Sequence, residues 1–185
     1  MTGEGARPVL VLGLGNLLCA DDGLGIVALE LIRRRFEAPA EVSFIDGGTL
    51  GLALLPTLES ARRVFVIDAV AADAPPGTLV SLAGEDVEPA LRDRLSPHQI
   101  GVADLLDAMH WRDTWPEQVR VLGLVPASFA LGIGLSPPVA AGIESLVGAV
   151  VRELEAAGHP LRPRTGDLDD AVALAGDPAA RVLGL

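Results

Sequence analysis

Pro8-Val-Leu-Val-Leu-Gly-Leu-Gly-Asn-Leu-Leu-Cys-Ala-Asp-Asp-Gly-Leu-Gly25 decides the fold. Its opening run, Pro8–Leu12, is wholly apolar and stops at Gly13, the pattern of a strand buried on both faces of a parallel sheet. From Asp22 to Phe36 apolar residues recur at Leu24, Val27, Ala28, Leu31 and Ile32, which is one face of a helix. Between strand and helix lies a glycine-rich turn that carries two acids.

The same alternation continues outward. Val42–Ile45 reads as a second strand ending at Asp46-Gly47-Gly48, Leu50–Leu58 as a short helix, and Arg63–Ile67 as a third strand ending at Asp68. Pro75-Pro76-Gly77 is a turn before a short strand, Thr78–Leu82. Ser96–His110 is a helix, Val119–Val125 a strand, and Ser136–Ala157 the last long helix. Strands alternating with helices imply a three-layer α/β/α fold: a twisted, mainly parallel sheet of about five strands with helices on both faces. Residues 1–158 are expected to form one domain. Residues 159–185, with Pro160, Pro163, Gly166 and the acidic run Asp167–Asp170, are expected to be a polar tail, partly flexible or loosely docked.

Composition narrows the function. The chain has 185 residues and a net charge of −11, and all 14 basic residues are arginine. An acidic surface repels nucleic acid. The tight run Arg33-Arg34-Arg35 falls at a helix end, where it offsets the negative terminus. The absence of lysine excludes a Schiff base or a phosphate-loop lysine. Cys19 is the only cysteine, so no internal disulfide forms. Met1–Pro8 lacks the features of a signal peptide, and no apolar run is long and charge-free enough to span a bilayer. A cytoplasmic monomer without membrane or nucleic-acid contacts is the expectation.

In a parallel sheet the binding crevice lies beyond the carboxyl ends of the strands. Asp21 and Asp22 follow the first strand, Asp46 the second and Asp68 the third. Each has a local explanation: a helix cap for Asp21 or Asp22, a turn at Gly47-Gly48 for Asp46, a strand end for Asp68. Gathered at one edge, they would instead raise a pKa or recruit a cation. Ser96-Pro97-His98-Gln99 opens a helix as a capping box and sets His98 in its first turn. A helix N-terminus disfavours imidazolium, so a neutral His98 is available as a ligand. Carboxylates with one imidazole suit nickel, zinc or another borderline divalent ion. His110 and His159 are weaker candidates. Gly13-Leu-Gly15 begins a dinucleotide fingerprint, but Leu18 stands where the third glycine belongs and the two acids would repel a pyrophosphate. Asn16, the only asparagine, is placed to brace the loop, and Cys19 to pack. No Gly-x-Ser-x-Gly elbow is present, and Ser128 and Ser136 have no paired base in the sequence.

Taken in order, Gly13-Leu-Gly-Asn16, Asp21-Asp22-Gly23-x-Gly25, Asp46-Gly-Gly-Thr49 with Gly51, Asp68-Ala69 and Ser96-Pro-His-Gln99 with Gly101 resemble the nickel-iron hydrogenase maturation endopeptidases. Gly123-Leu-Val-Pro126 and Gly134-Leu-Ser136 resemble later segments of that family, and the likeness runs from about Val9 to about Leu154. The resemblance implies an endopeptidase that removes a C-terminal extension from the hydrogenase large-subunit precursor after nickel insertion. It implies that nickel carried by the precursor is contacted by Asp22, Asp68 and His98, that Asp46 is also needed for activity, and that no nucleotide is used. Many members of the family carry Glu, one methylene longer, at the position of Asp22. Hydrolysis by a carboxylate general base and hydrolysis by metal-activated water both remain open, as does a non-catalytic role as a nickel- or precursor-binding chaperone. Substrate choice is assigned to the loops Gly84–Leu95 and His110–Glu117.

Overall fold

The computed structural model describes residues 9–92 and 100–164. Five strands form one sheet in the order β3-β1-β4-β6-β5: β1 (Val9–Leu14), β3 (Val42–Gly48), β4 (Arg63–Ala69), β5 (Leu79–Ala83) and β6 (Gln118–Leu124). β1 pairs in parallel with β3 and β4, and β4 with β6. β5 runs antiparallel to β6 and closes one edge. The mainly parallel sheet expected from the sequence is therefore present, with one antiparallel edge strand.

Every residue of β1 is buried, because helices cover the sheet on both sides. Side chains alternate across it. Val9, Val11, Phe65 and Ile67 face α1 (Leu24–Arg35) and α5 (Pro137–Ala156). Leu10, Leu12, Leu14, Val64 and Val66 face the layer of α2 (Leu55–Ser60), α3 (Val87–Arg92) and α4 (Ile100–Trp111). Both layers are mainly aliphatic, in keeping with a chain of 3% aromatic residues. Arg35 joins α1 to α5 through two bonds to the Glu144 carboxylate, at 2.6 and 2.8 Å.

Two local features differ from the sequence reading, and the first residues of the expected polar tail are docked. The helix expected from Asp22 begins at Leu24, because Ala20–Gly23 form a 3-10 turn first. The segment read as the loop Gly84–Leu95 contains α3 within its described part. The chain beyond Gly158 turns back onto α1: β7 (Arg162–Pro163) pairs antiparallel with β2 (Phe36–Glu37). Leu161 is buried there, and Arg164 Nε donates to the carbonyls of Arg33 and Phe36, both at 3.1 Å. Arg164 thus serves the open C-terminal carbonyls of α1. The acidic run at 167–170 lies outside the described residues.

Candidate active site at the carboxyl edge of the sheet

β1 and β4 are neighbours at the centre of the sheet, and their carboxyl ends carry the candidate residues. The turn after β1 folds back tightly over these ends. Gly15 has φ +128°, a conformation that favours glycine, and a methyl group there would overlap the Asp22 carbonyl oxygen. A methyl at Gly25 would overlap the carbonyl oxygens of Leu14 and Ile67. Glycine at these positions lets the 3-10 turn and the start of α1 rest directly on β1 and β4. The turn bearing Asp22 consequently packs against β4, the strand bearing Asp68. Asp22 and Asp68 are both wholly buried, at 0% exposure. Asp68 Oδ1 accepts the Ala69 N–H at 2.8 Å, which fixes its carboxyl group at the strand end.

Asp46 is placed differently. It shares a rung with Gly13 and Ile67, whereas Asp68 is one residue further along β4. By strand alternation Asp46 therefore belongs to the opposite face of the sheet from Asp68. It is also solvent-exposed. Its Oδ1 accepts the Gly48 N–H at 2.9 Å, the local turn bond expected of an aspartate before Gly47-Gly48. The structure thus sets Asp22 and Asp68 on adjoining buried elements and leaves Asp46 at the rim. His98, with its capping box, lies outside the described residues. Among the described residues no cluster of three acid, histidine or cysteine side chains has metal-binding geometry.

The sequence offers Asp21 either as a helix cap or as one of the acids gathered at the sheet edge. Neither the 3-10 turn nor α1 has a side-chain cap. The Asp21 carboxylate, buried at 0% exposure, instead accepts four hydrogen bonds from the loop between β6 and α5. The donors are Ala127 N at 2.8 Å, Ser128 N at 3.0 Å, Ser136 N at 2.7 Å and Ser136 Oγ at 2.8 Å. The main chains add to this clamp: Ala20 N donates to Gly132 O at 2.8 Å, Gly132 N to Leu18 O at 2.9 Å, and Asp21 N to Ser128 O at 3.2 Å. Asn16 Oδ1 accepts the Leu18 N–H at 3.0 Å, so the bracing role expected of it is present. Cys19 is buried and packs, as expected. The doublet Asp21-Asp22 therefore divides its work, the first acid holding a distant loop and the second lying against β4.

The remaining histidines have structural partners. His110 Nε2 lies 3.0 Å from Glu88 Oε2 and stacks on Trp115 with ring centroids 4.9 Å apart. His159 Nδ1 lies 3.3 Å from Glu41 Oε1. Ser136 has a carboxylate partner in Asp21, but that partly buried pair is a tether between two segments.

The family model for hydrogenase maturation protease of the HycI type matches residues 26–153, a stretch that includes Asp46, Asp68 and position 98. The chain belongs to the hydrogenase maturation protease family. The protease is 34% identical to the hydrogenase 2 maturation protease of Escherichia coli over 157 residues, covering 84% of this chain and 96% of that one. It is 40% identical over 153 residues to the hydrogenase expression/formation protein HupD of Rhodobacter capsulatus, covering 81% and 72% of the two chains. Its fold matches the hydrogenase-maturating endopeptidase HybD of Escherichia coli with a TM-score of 0.80 at 34% identity, over 85% of this chain and 98% of that chain. The HybD protease of Thermococcus kodakarensis aligns at a TM-score of 0.62 and 29% identity, over 78% and 97%. Among the described residues of the protease no helix is long and apolar enough to cross a membrane.

Proposed function

We propose that the protease removes the C-terminal extension of a nickel-iron hydrogenase large-subunit precursor once nickel has been inserted, and that it recognises the nickel in that substrate. The observation that carries this reading is the placement of two wholly buried aspartates, Asp22 and Asp68, on adjoining elements at the carboxyl edge of the sheet. Carboxylates in a water-poor crevice favour a nearby cation, and oxygen donors with one imidazole suit nickel. Asp22, Asp68 and His98 are the residues assigned to contact the metal carried by the precursor. A cytoplasmic setting is part of the proposal, and the single cysteine, a buried free thiol, suits a reducing compartment.

Asp46 is assigned to the hydrolytic step. Its exposure at the rim suits a group that must meet water and a peptide together. In that step a carboxylate takes a proton from water as the water oxygen adds to the scissile carbonyl. The proton then passes to the leaving nitrogen as the C–N bond breaks. A metal ion in the substrate, close to the same carbonyl, would polarise it.

The test is cleavage of purified precursor, with and without nickel, followed by mass spectrometry of the released peptide. The wild-type protease should cut only the nickel-loaded form. Asp68→Asn and His98→Ala, each shown to be folded by circular dichroism, should leave it uncut. Normal cleavage by either variant would remove that residue from the site. Binding of loaded precursor by the wild type without peptide release would favour the chaperone reading.

A further inference from the structure

We infer that the paired segments Leu18–Ala20 and Leu131–Ile133 form the surface on which the precursor seats an extended apolar stretch beside the peptide to be cut. This rests on the reading of the chain as the protease for that precursor. Cys19 and Gly132 form a parallel bridge, so the two segments run side by side as a short ribbon. Cys19 turns inward and is buried. Its neighbours on the ribbon are exposed: Leu18 at 55%, Leu131 at 87% and Ile133 at 45%. Three large apolar side chains are thus turned to water on one small, hydrogen-bonded platform, the arrangement that marks an interaction site.

The chemistry of the occupant follows from the platform. No charged residue occurs from Leu14 to Ala20 or from Pro126 to Pro138, in a chain of which 21% is charged. A neutral, apolar partner segment is therefore matched, and a basic one is not. The small platform also argues against a second copy of this chain. A stable interface buries about 800 Å² per partner from some 20–30 residues, far more than three side chains provide. An extended peptide fits this size.

Position ties the ribbon to the site. Asp21 and Asp22 follow Ala20 directly, and the Asp21 carboxylate holds both edges of the distant loop, at Ala127, Ser128 and Ser136. The ribbon is held tightly enough to keep Ala20 at φ +46°, a left-handed conformation that non-glycine residues disfavour. A peptide seated on it is registered against Asp22.

The experiment measures cleavage kinetics on full-length nickel-loaded precursor. Leu131→Asp with Ile133→Asp should raise KM roughly tenfold and leave kcat within about twofold of the wild type, since neither residue is assigned to the hydrolytic machinery. If the double aspartate variant melts early, Leu131→Ser with Ile133→Ser replaces it, and the same rise in KM without a fall in kcat is expected. Unchanged KM in the folded variant overturns the inference and leaves the protease assignment standing. A wild-type dimer in sedimentation that the substitutions dissociate also overturns it, by giving the ribbon to a second copy. Failure of the wild type to cut any precursor would instead sink the reading on which the inference rests.

Discussion

Asp21 and Ser136 are joined twice, the Ser136 N–H to Oδ1 at 2.7 Å and the Ser136 hydroxyl to Oδ2 at 2.8 Å, across 115 residues of sequence. With the two further bonds from Ala127 and Ser128, the carboxylate satisfies three backbone donors and one hydroxyl. Asp21→Ala would leave those donors without their acceptor in a partly buried setting. A loss of about 2–4 kcal/mol is expected. Urea unfolding monitored by circular dichroism would measure it, and a change under about 0.5 kcal/mol would show that the clamp is idle.

Gly15 gives a second prediction. Alanine there meets the Asp22 carbonyl oxygen and must also hold φ +128°. Gly15→Ala should cost more than about 2 kcal/mol, or displace the turn. Displacement would move Asp22 away from β4, so peptidase activity should fall even at temperatures where the variant stays folded. A variant with both wild-type stability and wild-type activity would refute the packing described.

Asp22 and Asp46 should respond differently to substitution. Asp22→Asn keeps the shape and removes the charge, and cleavage should drop at least about a hundredfold if that charge contacts the nickel carried by the precursor. Asp22→Glu keeps the charge and adds one methylene at a site of 0% exposure, where overpacking costs about 1–3 kcal/mol. It should retain more activity than Asp22→Asn while melting lower. Asp46→Asn, at an exposed position, should leave stability within about 0.5 kcal/mol and lower kcat. Equal melting losses at both positions would contradict the buried and rim assignments.

Acid stability follows from the carboxylates held below their usual range. The hydrogen bond from Arg35 lowers Glu144, that from Arg112 lowers Glu59, and those from Arg92 and then His110 lower Glu88. A folded-state pKa below the unfolded value contributes stability that is present above the unfolded value, about 4.3 for Glu. It is lost as pH falls through the lower folded value. The melting temperature should therefore decline below about pH 4.3. Glu144→Gln should cost only about 0.5–1 kcal/mol at pH 7, because the pair is partly solvated, and should flatten the acid decline. An unchanged acid slope would count against the Arg35–Glu144 contribution.

The docked segment after Gly158 should also register. Removing residues 159–185 deletes buried Leu161 and the Arg164 bonds to the end of α1. A loss of about 2–3 kcal/mol is expected from one buried leucine and a lost helix cap. Thermal unfolding of the truncated chain checks this, and an unaltered transition would show that the docking contributes nothing.

The sequence showed these features unevenly. Val9–Leu12 reads as a buried parallel strand because both its faces are covered and it carries no alternation. The Asp-Asp-Gly turn marked the right edge of the sheet. The direction of Leu79–Ala83 is not readable in the sequence, since its partner among the described residues, β6, lies almost forty residues further on. α3 was missed because it is short and contains Pro89. The doublet was the harder case. Nothing local distinguishes Asp21 from Asp22, because the donors that claim Asp21 lie at 127, 128 and 136 and are largely backbone N–H groups. Such donors leave no mark on side-chain identity. Ser136, the one side-chain donor, stands in the sequence as a helix start and a serine without a base, and neither reading points to Asp21.

The clamp between the turn at 16–23 and the loop at 126–136 has a bearing on how variants of this protease can be recombined. The two segments are separated by more than a hundred residues, yet Asp21, Ala20 and Leu18 all bond across to the second one. A chimaera that takes either segment alone from a relative would inherit half of a matched set, with donors and acceptors that need not align. They form one module in two pieces, and grafts should transfer them together.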